Sequence, residues 1–108
     1  MLKHIVLFRK KTDVNREQAV EDNLVHQMSE LGSKIPVILD WQVSKNEIDR
    51  PICWDYSLEA VVESTDALTN YLNHPLHVQL VERLKQYFEW AAVDFHFDET
   101  VSKSQITH

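Results

Sequence analysis

Residues Lys3 to Arg9 alternate as a β-strand, and both rows they generate carry apolar side chains. His4, Val6 and Phe8 share one side; Ile5 and Leu7, flanked by Lys3 and Arg9, share the other. A strand of this kind needs cover on two faces, which limits the folds open to a short chain. With 108 residues there is room for one domain and one core, so the second cover has to come from outside the chain.

The remaining periodicity sets the order of elements. From Val14 the pattern turns helical, with Val20, Leu24, Met28 and Leu31 on one stripe and Asn15 with Gln18 as a capping pair. Gly32, the single glycine, is expected to end that helix in a left-handed conformation. A second strand follows Pro36, with Val37, Leu39, Trp41 and Val43 on one face and Ile38, Asp40, Gln42 and Ser44 on the other. A turn over Asn46 to Pro51 leads into a third strand, Ile52 to Glu63. Ser64 or Thr65 caps a helix bearing Leu68, Tyr71 and Leu72. Pro75 breaks that helix and starts another, which is expected to run to about Phe88. The last strand spans Ala91 to Phe97, and the tail from Glu99 to His108 is polar and aperiodic.

The order βαββαβ predicts an α+β, ferredoxin-like fold: a four-stranded antiparallel sheet with the helices on one face. The other face is then bare, and the simplest cover for it is a second copy of the chain, packed sheet to sheet as a homodimer. Residues 1–98 form the domain and residues 99–108 a flexible tail.

Composition excludes several classes of partner. Seventeen acidic against eleven basic residues, a formal net charge of −6, argue against nucleic acid. The apolar run Ile5 to Phe8 is too short to span a membrane. The lone cysteine, Cys53, forms no internal disulfide and points to a reducing, cytoplasmic setting.

The stretch Tyr71-Leu72-Asn73-His74-Pro75-Leu76-His77-Val78 carries the chemistry. His77 falls in the first turn after Pro75 and on the apolar side, where burial and the helix dipole both favour a neutral imidazole able to act as a base. A core histidine bonded to a backbone carbonyl is the alternative. His74 fits a capping role at the break, and Tyr71 packs near Leu68 and Leu72 with its hydroxyl at the rim. His74 and His77 make a poor metal pair because no third ligand stands near them in sequence and His4 or His96 could complete a site only through the fold, so no metal is expected. His4 lies among apolar neighbours; Trp41, Trp54 and Tyr56 either fill the core or line a ligand cavity.

These segments, together with Ile35-Pro36, Tyr56 to Glu63 and Val93-Asp94-Phe95, resemble the stress-responsive A/B barrel family over roughly residues 2 to 98. The resemblance implies a dimeric α+β barrel. In the family's plant polyketide cyclase branch, a histidine matching His77 is the base, a tyrosine matching Tyr71 assists at the substrate carbonyl and a histidine matching His4 lines the pocket. The chain departs from that branch at Glu47 to Pro51 and at Gln79-Leu80. Two functions stay open on the sequence: a cofactor-independent lyase or cyclase acting on a carbonyl, polyketide-like small molecule, or a non-enzymatic barrel that binds a hydrophobic ligand. A haem-handling or monooxygenase-like barrel is a third.

Overall fold

The computed structural model describes residues 1–15 and 17–98, so the expected tail, residues 99–108, lies outside the described residues. The elements are β1 (Leu2–Lys10), α1 (Gln18–Leu31), β2 (Asp40–Lys45), β3 (Tyr56–Val62), α2 (Thr65–Leu72), α3 (Pro75–Leu84) and β4 (Phe88–His96). The four strands form one antiparallel sheet in the order β2-β3-β1-β4. This is the ferredoxin-like arrangement, with β1 as a central strand. His4, Val6 and Phe8 are buried beneath the helices, together with Tyr56, Leu58, Ala60 and Val62 of β3. The opposite sheet face leaves Leu7, Val93 and Phe95 exposed at 43%, 54% and 42%.

Several element boundaries move from their expected places, each for a local reason. α1 begins at Gln18, not Val14, and the Asn15–Gln18 capping pair does not form: Glu17 occupies the N-cap without a side-chain bond, and the Gln18 amide bonds Asp22 instead (2.9 Å). Val20 faces outward, and Glu21 takes its place on the buried stripe with Leu24, Met28 and Leu31. β2 starts at Asp40 because the chain turns after Pro36, with the Ile38 N–H donating to the Ile35 carbonyl (3.1 Å). β3 starts at Tyr56. Ahead of it, the Asp55 side chain accepts the Lys10 N–H (2.8 Å), the Cys53 N–H returns to the Arg50 carbonyl (3.0 Å), and Ile52 is left 72% exposed.

α3 stops at Leu84, four residues short of Phe88. The chain turns with the Tyr87 N–H on the Leu84 carbonyl (3.0 Å), and Phe88 opens β4 opposite Lys10. There its ring is buried between Phe8 and Tyr56, with centroids 6.3 Å and 5.9 Å away. Burying that ring extends β4 by three residues beyond the expected start.

Gly32 does not adopt a left-handed conformation; its φ is −59° and its ψ −32°. It serves a packing need instead, since a Cβ at this position would overlap the Cβ and Cγ of Trp41. The Trp41 indole N–H donates to the Met28 carbonyl (3.0 Å), one of the last carbonyls of α1, which have no partner within the helix. Gly32→Ala is therefore expected to displace Trp41 and to cost about 1–3 kcal/mol in urea unfolding, as other forced overpacking does.

Candidate active site

The corner between α2 and α3 is built by short-range chemistry. Ser64 caps α2, its hydroxyl accepting the Ala67 N–H (3.2 Å). His74, held extended before the proline, caps α3: its Nδ1 accepts the Leu76 N–H (3.2 Å), and Pro75 fills the first helical position, which needs no donor. The expected capping role of His74 thus appears in the geometry. His77 closes the corner. Its Nδ1 lies 2.8 Å from the carbonyl oxygen of Leu72, the last residue of α2. A carbonyl only accepts, so Nδ1 carries the proton and Nε2 keeps its lone pair in the neutral ring.

Burial lowers the pKa of His77 below its ordinary value of 6.5; the bond to Leu72 opposes this, and the neighbouring His4 and His74 add to it. The unfolded chain therefore takes up a proton at pH values where folded His77 does not. Stability contributed by the neutral ring is complete above about pH 6.5 and falls as the pH drops through that value. Unfolding of the wild type between about pH 8 and about pH 5 is expected to show this loss, and His77→Gln, which does not titrate, is expected to show less of it.

The Tyr71 ring is 1% exposed and stands edge-on to three neighbours: His77 at 4.7 Å, His4 at 5.5 Å and Trp41 at 5.7 Å between centroids. Burial, and then the negative charge of Asp94, raise its pKa well above that of an ordinary phenol. The hydroxyl stays protonated and remains a donor. His4 is buried, and its Nδ1 lies 2.5 Å from Asp94 Oδ1 on the paired strand β4.

His4, Trp41, Tyr71, His77 and Asp94 border one cavity of about 290 Å³ between the sheet and the helices, with otherwise largely apolar walls that include Leu58, Leu80 and Leu84. Of the side chains named from sequence, the structure brings these four together: His77, Tyr71, His4 and Trp41. Tyr56 and Trp54 lie elsewhere. The Tyr56 hydroxyl donates to the buried Glu21 carboxylate (2.5 Å), with Lys10 3.8 Å from the same carboxylate, and Trp54 stacks under the Arg9 guanidinium at 4.5 Å. Both aromatics extend the packing outside the cavity because each already has a charged or polar partner there.

Sequence reasoning missed Asp94, Trp90 and Glu21. Asp94 stands out in the sequence only within Val93-Asp94-Phe95; its pairing with His4 spans 90 positions and needs the β1–β4 register. Among the described residues, no group of three or more His, Cys, Asp or Glu side chains is placed to hold a metal ion, and no helix is long and apolar enough to cross a membrane.

A model of the stress responsive A/B barrel domain matches residues 2–97. The chain belongs to the stress-responsive A/B barrel family. An uncharacterized protein of Streptomyces coelicolor is 32% identical over 97 residues, covering 90% of this chain and all of that one. Among solved structures, a dimeric protein of unknown function with a ferredoxin-like fold from Bacteroides fragilis is 29% identical (TM-score 0.72; 89% of this chain, 95% of that one). The hydroxynitrile lyase of Passiflora edulis (17% identical, TM-score 0.76, 93% and 95% covered) and a cofactor-independent oxygenase of Streptomyces nogalater (14%, 0.69, 94% and 97%) share the fold. At those identities the likeness is one of architecture, and the two activities differ from each other.

Proposed function

We propose that this A/B barrel protein is a cofactor-independent lyase or cyclase for a carbonyl-bearing small molecule. His77 Nε2 removes the proton next to the carbonyl, and the Tyr71 hydroxyl donates a hydrogen bond to the enolate oxygen as its charge develops. The proton then rests on an imidazolium whose other nitrogen is held by the Leu72 carbonyl. It returns to the product, so no external oxidant or cofactor is needed. The observation that carries this reading is the meeting of a neutral, tautomer-fixed imidazole and a protonated phenol at one apolar cavity. His4 and Trp41 line the substrate's space beside them.

The active unit in this proposal is a homodimer packed sheet to sheet in the cytoplasm. The exposed Leu7, Val93 and Phe95 support that interface, as does the dimeric state of the Bacteroides fragilis relative. A second reading is a non-enzymatic barrel that binds a hydrophobic ligand. The bond from His77 to Leu72 favours it, because closing the corner is a structural task.

The test is exchange of the methyl protons of acetophenone into deuterated water, followed by proton NMR. The wild type is expected to accelerate the exchange, and Tyr71→Phe to lower the acceleration by about 10²-fold, the usual effect of removing one donor to an oxyanion. A wild-type rate equal to that of buffer, or an unchanged rate in Tyr71→Phe, would count against the assigned chemistry.

A further inference from the structure

The outer face of the sheet is uneven. Ile5 and Leu7 of β1 with Ala91, Val93 and Phe95 of β4 make an apolar half, whereas β2 and β3 present Asp40, Gln42 and Glu59. Glu59 stands at the middle of this face in both directions. β3 and β1 are the two inner strands, and of their seven paired positions, Leu2↔Val62 to Phe8↔Tyr56, Ile5↔Glu59 is the fourth. On its other side Glu59 faces Gln42 of β2. The cations of the face lie away from the centre. Lys3 is opposite Val61, with its ammonium 5.3 Å from the Phe97 ring, and Arg9 bonds Glu89 (2.6 Å) at the far end of the sheet.

Two copies packed sheet to sheet by a two-fold axis need that axis to lie in the plane between the sheets, because rotation about the perpendicular would leave both faces pointing the same way. The centre of the face then meets its own copy, whichever way the axis runs in that plane. Off-centre side chains meet a different residue. Packed sheets stand about 10 Å apart, a gap that two facing glutamate side chains are able to fill. We propose that the homodimer buries its two Glu59 carboxylates against each other at this axis and takes up a proton to do so, so that self-association tightens as the pH falls. The inference rests on the sheet-to-sheet dimer proposed above and names the group that regulates it.

In the free protomer Glu59 is only partly buried and keeps water on one side. Between two sheets the paired carboxylates lose that water and repel, and one shared proton turns the repulsion into a charge-assisted hydrogen bond. A dimer that binds one proton more than two free protomers is favoured by acid, and its dissociation constant rises by up to about tenfold for each unit of increasing pH. The other charges of the face leave this sign in place: Asp40 adds negative charge, Arg9 and Glu89 neutralise each other, and Lys3 lies two residues along β1 from Ile5.

The test is sedimentation of the full chain over a dilution series, at constant ionic strength, at about pH 6 and about pH 8. The wild-type dissociation constant is expected to be about tenfold or more lower at the acid pH. Glu59→Gln keeps the shape of the side chain and does not ionise. It is expected to dimerise at about pH 8 roughly tenfold more tightly than the wild type and to change by no more than about twofold between the two conditions. Glu82→Gln removes the same charge from an exposed position on α3 and is expected to behave as the wild type, which separates the pair at the axis from the net charge of −6. Equal wild-type association at the two pH values, or pH dependence that survives in Glu59→Gln, would overturn the inference. So would a Glu59→Gln dimer weaker than the wild type, the result expected if Glu59 instead pairs with the partner's Lys3. Wild type and variants that stay monomeric throughout would refute the sheet-to-sheet dimer itself.

Discussion

Replacing His77 with alanine is expected to remove the acceleration of α-proton exchange, a loss of about 10²- to 10⁴-fold, which is the range that positioned acid–base groups contribute. The substitution does two things at once, because the same ring carries the base at Nε2 and the structural bond at Nδ1. His77→Gln separates them. A glutamine amide is able to donate to the Leu72 carbonyl but is no base near neutrality. In the enzymatic reading both variants lose exchange, and only His77→Ala also loses about 1 kcal/mol of stability through the unmet carbonyl. In the ligand-binding reading His77→Gln keeps both stability and affinity for an apolar ketone such as acetophenone. Exchange rates by NMR and urea midpoints for the two variants, measured side by side, decide between them.

The second large effect lies away from the cavity. Phe88→Ala is expected to cost about 3–5 kcal/mol, the range for truncating a buried aromatic ring. Its ring is 1% exposed, holds the start of β4 to the end of β1, and meets Phe8 and Tyr56 edge-on. A domain of this size has about 5–15 kcal/mol in all, so the variant sits close to its unfolding threshold. Denaturant unfolding measures the loss, and β4 amides are the ones expected to exchange first with solvent. A cost near 1 kcal/mol would mean that the turn after α3, and not the ring, fixes where β4 begins.

What the sequence made legible were features decided by near neighbours. The Pro75 break, the His74 cap, the Ser64 cap and the inward aim of His77 all depend on residues within one helical turn, and each appears in the structure. The order of strands and helices followed from periodicity, and the sheet confirms it. What stayed hidden depends on partners far along the chain. Glu21 reads as a surface acid until Tyr56, 35 positions away, supplies its hydroxyl. Gly32 reads as a helix terminator until Trp41 is seen to occupy the space a side chain would need. Ile52 and Leu39 continue an alternating pattern, yet neither belongs to the strand expected of it: Ile52 lies in a turn, and the chain bends just ahead of Asp40, where the Leu39 N–H reaches the Val61 carbonyl (2.8 Å). Trp54 and Tyr56 share the composition of cavity residues, and only their charged partners show that they serve elsewhere.

The Glu21–Tyr56–Lys10 cluster shares no residue with the cavity and ties α1 to the adjoining ends of β1 and β3. A buried carboxylate held in this way is costly to unpair, which resists change at those three positions. The cavity wall has such a pairing at His4 and Asp94, but most of its other residues are apolar side chains that tolerate swaps of similar volume. Two parts of one small sheet therefore differ in tolerance, with an anchor that withstands little substitution and a lining that accepts apolar changes of similar volume. A lineage built on this plan is able to change what it accepts without first having to find a new way to stay folded.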